Sequence, residues 1–144
     1  MSELVRPLET STHTADRQYR QVLIVEDEPA LRRVLARNLT GRGLDVREAG
    51  TVGAALDAIA AERPDLLLLD INLPDRSGWD VMREMDRRGT GVPTIVVSAV
   101  RVSQSRLEEF HPLAYLPKPF PIEALLRLVF STPRSQTDAN SDDS

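Results

Sequence analysis

The chain has 144 residues, 41% hydrophobic, 28% charged and 4% aromatic, which is enough apolar matter for one packed core plus tails and too little length for two. Eighteen Lys plus Arg against twenty-two Asp plus Glu give a formal charge of −4, a poor balance for binding nucleic acid by neutralising phosphates across the whole surface. Cysteine is absent, which excludes disulfides, thiolate catalysis and Cys-type zinc, and the two histidines, His13 and His111, are too few for a His-rich metal site and argue against a Ser-His-Asp triad.

Residues 1 to about 20 are polar and lack helical or strand period, so they read as a flexible arm and not as a signal peptide. No apolar run exceeds four residues, as in Leu66–Leu69, so no membrane insertion and a cytoplasmic location are expected. Val22–Val25 has the composition of a strand buried on both faces. Pro29 then opens a helix whose apolar stripe is Leu31, Val34, Leu35 and Leu39, stopped by Gly41 and Gly43. A short strand follows around Val46. Thr51 caps a second helix carrying Val52, Ala55, Leu56, Ile59 and Ala60, and Pro64 ends it.

Leu66–Leu69 is the third strand, bounded by Asp65 and Asp70. Ser77-Gly78-Trp79-Asp80 has the form of a capping box and opens a helix with Trp79, Met82 and Met85 inward, and with Arg83, Arg87 and Arg88 on its solvated face. Thr94–Val97 is the fourth strand, a weak helix lies at about 103–110, and Ala114–Leu116 is the fifth strand. Pro121 starts a last helix with Ile122, Leu125, Leu126 and Val129 on one face, and from 132 onward the Ser/Asp-rich sequence reads as a disordered acidic tail. The folded unit is therefore 21–131. Five β-α repeats argue for a parallel sheet covered on both faces, whose ligand site lies beyond the strands' carboxyl ends.

Those ends carry Glu26, Asp27 and Glu28 after the first strand, Asp70 after the third, Ser98 after the fourth and Lys118 after the fifth. Convergence of Glu26, Asp27 and Asp70 would place like charges together unless a cation sits among them, and oxygen-only ligands suit Mg²⁺. Taken singly, each residue has a plainer role: acids 26–28 could complement a helix N-terminus, Asp70 could cap a loop, and Lys118 could sit at the surface. Yet Lys118 is the chain's single lysine, in a sequence that otherwise uses arginine, and it falls where a compact ammonium would complete a phosphoryl pocket.

Val25–Glu28, Leu69–Pro74, Gly78, Val97-Ser98-Ala99 and Tyr115–Phe120 together resemble the receiver domain of bacterial response regulators over about residues 21–131. The resemblance implies a flavodoxin-like, doubly wound five-stranded parallel sheet in the order 2-1-3-4-5. It implies Asp70 as acceptor of a phosphoryl group from a sensor histidine kinase, a histidine phosphotransfer protein or a small phosphodonor. Mg²⁺ would be held by Asp27, Asp70 and the Asn72 carbonyl, with Glu26 acting through a water. Lys118, before a cis Pro119, would pair with the phosphoryl group. Ser98 would bond it after transfer, and Tyr115 would then turn inward.

The chain departs from the family pattern at Glu26, where aspartate is common, and between Ser98 and Lys118, where it is about two residues short. Phe110–Ala114 contains Pro112, so the fourth helix is expected to be short or distorted. The expected function is a phosphoacceptor module of a histidine-to-aspartate phosphorelay. Its output would be contact with a downstream protein, or with a second copy as a homodimer, without direct contact to nucleic acid. The alternative is an interaction module of the same fold that works without phosphate. A Mg²⁺-dependent phosphatase is disfavoured, because Asn72 stands where such enzymes carry a second aspartate. The chain is therefore expected to be no enzyme beyond its own phosphoryl transfer and slow self-dephosphorylation.

Overall fold

The computed structural model describes residues 19–130. Strands β1 (Gln21–Val25), β2 (Asp45–Ala49), β3 (Leu66–Asp70), β4 (Thr94–Ser98) and β5 (Ala114–Pro117) alternate with helices α1 (Pro29–Thr40), α2 (Val52–Ala61), α3 (Trp79–Arg88), α4 (Gln104–Phe110) and α5 (Ile122–Phe130). The ladders are all parallel and the order is β2-β1-β3-β4-β5, as the flavodoxin-like reading requires.

Strand side chains alternate between the two faces of a sheet, and here both faces are apolar. Leu23, Val25, Leu67, Leu69 and Val96 pack with Val52, Leu56 and Ile59 of α2 and with Trp79, Met82 and Met85 of α3. Val22, Ile24, Leu66, Leu68, Ile95 and Val97 pack with Leu35 and Leu39 of α1 and with Leu125, Leu126 and Val129 of α5. Burial on both sides explains why β1, β3 and β4 are unbroken hydrophobic runs. The sheet edges β2 and β5 are only partly buried.

Several local expectations need correction. Tyr19 belongs to the folded unit, not to an arm reaching residue 20: its side chain is buried in the α1–α5 core, and the Arg20 N–H donates to Asp65. The rest of the arm, and the tail expected from residue 132, lie outside the described residues. Val34 leaves the α1 stripe and is 45% exposed, whereas Leu35 and Leu39 are buried. The capping box at Ser77 does not form. Gly78 already has helical backbone angles, so Ser77 Oγ accepts the Trp79 N–H at 3.1 Å, while Asp80 pairs with Arg76 and Arg83.

Thr51 does cap α2, accepting the Ala54 N–H at 3.0 Å. A second cap comes from far along the chain. The Asp75 carboxylate, in the loop between β3 and α3, accepts the N–H groups of Val52 at 2.9 Å and Gly53 at 3.0 Å. These bonds hold the Asp75 carboxyl below the usual aspartate range. The α3 helix ends at Gly89, in the left-handed conformation that glycine adopts without strain.

Helix α4 is short, as Pro112 demanded, and none of its residues is buried. His111 closes it with a positive φ of 50°, one residue before the proline. Its anchor is Phe110, which stacks on Trp79 with ring centroids 4.9 Å apart and takes the Arg83 guanidinium over its ring at 5.2 Å.

Two outcomes follow from these contacts. Phe110→Ala should cost about 1–2 kcal/mol, an aromatic pair plus partly buried area. In native-state hydrogen exchange, α4 amides should lose protection while the strands keep theirs. Asp75→Ala should melt below wild type at neutral pH, because a depressed carboxyl contributes stability only above its unfolded value. That gap should close as pH falls below about 3.9 and wild-type Asp75 takes up a proton. A gap unchanged between neutral and acid pH would refute the charged cap.

Candidate functional site

The carboxyl ends of β1, β3, β4 and β5 bring the predicted residues to one place. Glu26 and Asp27 follow β1, Asp70 ends β3, Ser98 ends β4, and Lys118 follows β5. One carboxylate oxygen from each of Glu26, Asp27 and Asp70 lies within 4.8 Å of the other two. Glu26 and Asp70 are each 2% exposed, whereas Asp27 faces solvent. Lys118 reaches over both buried acids, with Nζ 2.9 Å from Asp70 Oδ2 and 3.0 Å from Glu26 Oε1. It follows a register in which Ser98 lies beside Pro117, and its own N–H donates to the Ser98 carbonyl at 2.8 Å.

Burial pushes the Glu26 carboxyl up, and Asp70's charge adds to the rise, against the lowering contacts of Lys118 and the Glu28 N–H. Burial works the other way on Lys118, but the hydrogen bonds and charges of Asp70 and Glu26 together leave it above the ordinary lysine value. Three carboxylates against one ammonium leave an excess of negative charge. The donors are all oxygen, so this set fits a hard divalent ion and does not suit a soft one.

Asp70 Oδ1 accepts the Asn72 N–H at 3.0 Å, so both of its oxygens have partners. The loop after β3 is closed by an antiparallel bridge between Asn72 and Ser77. Gly78 sits against the acceptor strand: a Cβ there would collide with the Asp70 carbonyl oxygen and lie 2.8 Å from Ile71 Cα. Any other residue must move this loop.

Ser98 is buried, and its Oγ accepts the Val100 N–H at 3.0 Å, which leaves the hydroxyl proton free to donate. Val100 itself is 59% exposed, on a groove it shares with Asn72, Trp79, Arg101 and Arg106. Tyr115, the predicted switch residue, is half-buried against the α2–α3 core, and the Lys118–Pro119 bond is cis.

Two contacts of Glu26 left little mark in the sequence. Arg32 of α1 donates to the Glu26 carbonyl at 2.6 Å and pairs with Glu48 at 3.1 Å. The only signal was its place one turn into the helix after the acids, and its neighbour Arg33 hid it. The Glu28 N–H, 3.2 Å from Glu26 Oε2, also went unforeseen, since backbone donors leave no trace in side-chain identity.

With this geometry in hand, likeness to known proteins carries weight. The response regulator receiver domain family model matches residues 22–130. Response regulator MprA of Mycobacterium avium (strain 104) is 36% identical over 126 residues, which are 84% of this chain and 55% of that protein. The KDP operon transcriptional regulatory protein KdpE of Escherichia coli (strain K12) is 42% identical over 106 residues, 72% of this chain and 47% of that protein. The chain therefore spans about half the length of these curated relatives.

Among solved structures, a CheY-like receiver domain protein from Methanospirillum hungatei JF-1 superposes with a TM-score of 0.71 at 26% identity, covering 88% of this chain and 99% of that one. The response regulator TrrA from Thermotoga maritima, solved in complex with Mg(2+)-BeF, gives 0.67 at 28% identity, covering 75% of this chain and 94% of that one. Fold, strand-end residues and relatives agree: the chain belongs to the response regulator receiver domain family of two-component systems.

Proposed function

We propose that Asp70 accepts a phosphoryl group from a histidine kinase or histidine phosphotransfer protein, with Mg²⁺, and that the modified domain changes its protein contacts. The observation that carries this reading is the Lys118 ammonium held 2.9 Å from a buried, strand-end aspartate inside a three-carboxylate cluster. Asp27 and Asp70 would hold the ion with the Asn72 carbonyl, and Glu26 would act through a water. Bound there, Mg²⁺ supplies positive charge to the phosphoryl oxygens and offsets the acids.

The remaining work falls to the chain. Asp70 attacks phosphorus, the bond from phosphorus to the donor's imidazole nitrogen breaks, and that nitrogen keeps the electron pair. Lys118 neutralises the phosphoryl oxygens as the charge moves onto Asp70. Ser98, whose hydroxyl proton is free, donates to one of those oxygens. The donor protein seats on an apolar groove of about 380 Å³ between α1 and the segment leading into α5, lined by Leu31, Val34, Phe120 and Ile122. Lys118 lines that groove as well as the acidic cluster, so a protein docked there presents its histidine to Asp70. This also accounts for the exposure of Val34.

The chain's own chemistry ends at this transfer and at slow hydrolysis of the aspartyl phosphate. Asn72, two residues after Asp70, offers no general acid for faster turnover. The kinship to MprA and KdpE supports a regulatory role, and KdpE is by name a transcriptional regulatory protein.

Incubation with acetyl phosphate and Mg²⁺ should label wild type and leave Asp70→Asn unlabelled, read by intact mass; equal labelling of both would overturn the assignment. Val100 presents an apolar side chain beside the pocket and slows water's approach. Val100→Glu should shorten the lifetime of the aspartyl phosphate several-fold, followed by loss of label after donor removal. A lifetime as long as wild type would count against that role.

A further inference from the structure

The turn after β1 is held by a side chain as well as by its own backbone bonds. Glu26 lies one residue beyond the end of β1, and its N–H makes a last bond to the Ala49 carbonyl of β2 at 3.0 Å. Its carbonyl belongs to the peptide that joins it to Asp27. That peptide sets the direction in which the exposed Asp27 carboxylate leaves the chain. Here the acceptor is taken by a side chain: Arg32 Nη1 donates to it at 2.6 Å.

Arg32 is well supported for this task. Side chains on a helix tilt toward its N-terminus, so a residue one turn into α1 points back at the end of β1. The guanidinium is fixed from its other side by Glu48 of β2, 3.1 Å from Nε, and the arginine side chain is only 22% exposed. Gly50 leaves the room it needs, since a Cβ there would stand 3.1 Å from Arg32 Nη1 and 3.9 Å from the Glu26 carbonyl oxygen. Three elements thus meet on one planar group: β2 through Glu48, α1 through Arg32, and the turn after β1 through the Glu26 carbonyl.

We propose that Arg32 is a positioning residue for the divalent-ion site, holding the Glu26–Asp27 peptide so that Asp27 stays aimed into the carboxylate cluster. The inference rests on the metal reading above. It makes a prediction of sign that simple electrostatics does not. A guanidinium close to an acidic cluster repels a divalent ion, so deleting it should tighten binding if charge alone mattered. If Arg32 acts by orienting a ligand, deleting it loosens binding, because supporting partners of metal ligands are typically worth about 10–100-fold in affinity.

The test is titration of the full chain with Mg²⁺, by calorimetry and by fluorescence of Trp79, which lines the groove shared with Asn72 and Ser98. Arg32→Ala should weaken Mg²⁺ binding about tenfold or more. Arg32→Lys keeps a donor for the carbonyl but cannot also fork to Glu48, so it should recover part of the loss. Glu48→Gln, which leaves the guanidinium an acceptor but no charged partner, should weaken binding in the same direction by less. The Mg²⁺ concentration giving half-maximal labelling by acetyl phosphate should rise in step, with the rate at saturating Mg²⁺ little changed.

Binding as tight as wild type, or tighter, in folded Arg32→Ala overturns the proposal. If that variant does not fold, the same result in Arg32→Lys together with Glu48→Gln overturns it. A wild-type chain that takes up no Mg²⁺ instead overturns the metal reading beneath it.

Discussion

One ammonium shared between two buried carboxylates is the constraint on which the rest of this structure turns. Glu26 and Asp70 are almost wholly withdrawn from water, and a buried ionised carboxylate without a partner is unfavourable by several kcal/mol. Lys118 relieves both at once. It can do so only if β5 lies beside β4 in a register that places residue 118 at the carboxyl end of the sheet, above the end of β3. The β1-β3-β4-β5 part of the sheet order thus meets an electrostatic demand as well as a packing one. An apolar replacement of the trio could stabilise the fold further, as buried ion pairs are often improved upon by hydrocarbon. What the trio offers instead is charge: the cluster keeps more negative than positive charge, which a divalent cation would offset.

Around that cluster the backbone is tied down from several directions. Asn72 donates to Asp70, Gly78 packs so close to the acceptor strand that no side chain fits, and Asp75 staples the same loop to the start of α2. On the other wall Arg32 links α1, β2 and the turn after β1. Each tie joins elements distant in sequence. The acidic pocket is built less by its acids than by the donors that stop their loops from relaxing away from one another. Such preorganisation matters for phosphoryl transfer, where placement and charge do nearly all of the catalytic work.

What could be read from sequence, and what could not, follows from range. The strands were legible because a strand buried on both faces must be continuously apolar, as Leu66–Leu69 is. The site was legible because an α/β sheet brings successive strand ends to one edge, so residues 26, 27, 70, 98 and 118 needed no knowledge of loops. The single lysine among arginines sharpened it. Tertiary bonds between loop side chains and distant backbone were not legible. Nothing local distinguishes Asp75 from any loop aspartate, or Arg32 from Arg33. The capping box failed for a related reason: Ser77-x-x-Asp80 fits the pattern, but Gly78 is pressed onto β3 and enters helical geometry early, which displaces the serine from its capping position.

The unevenness of these ties also says where a change at Asp70 can be expressed. The walls contributed by α1, α2 and α3 are pinned by buried apolar faces and by polar staples. Helix α4 has neither; it buries no residue and hangs chiefly on one aromatic stack to α3. The link between acceptor and α4 is short. Ser98 holds the Val100 N–H through its Oγ, and Val100 begins the segment that leads to the Ser103 cap of α4. A hydroxyl drawn toward a new anion on Asp70 must loosen or drag that N–H. The element it would drag is the least costly one to move. Local opening concentrates where buried contacts are fewest, so in this chain a charge added at the sheet edge meets its softest neighbour directly across the pocket. With no fully buried residue and a single aromatic anchor, α4 is the most weakly packed helix around the pocket, and under the proposed transfer it is the element with least to hold it in place.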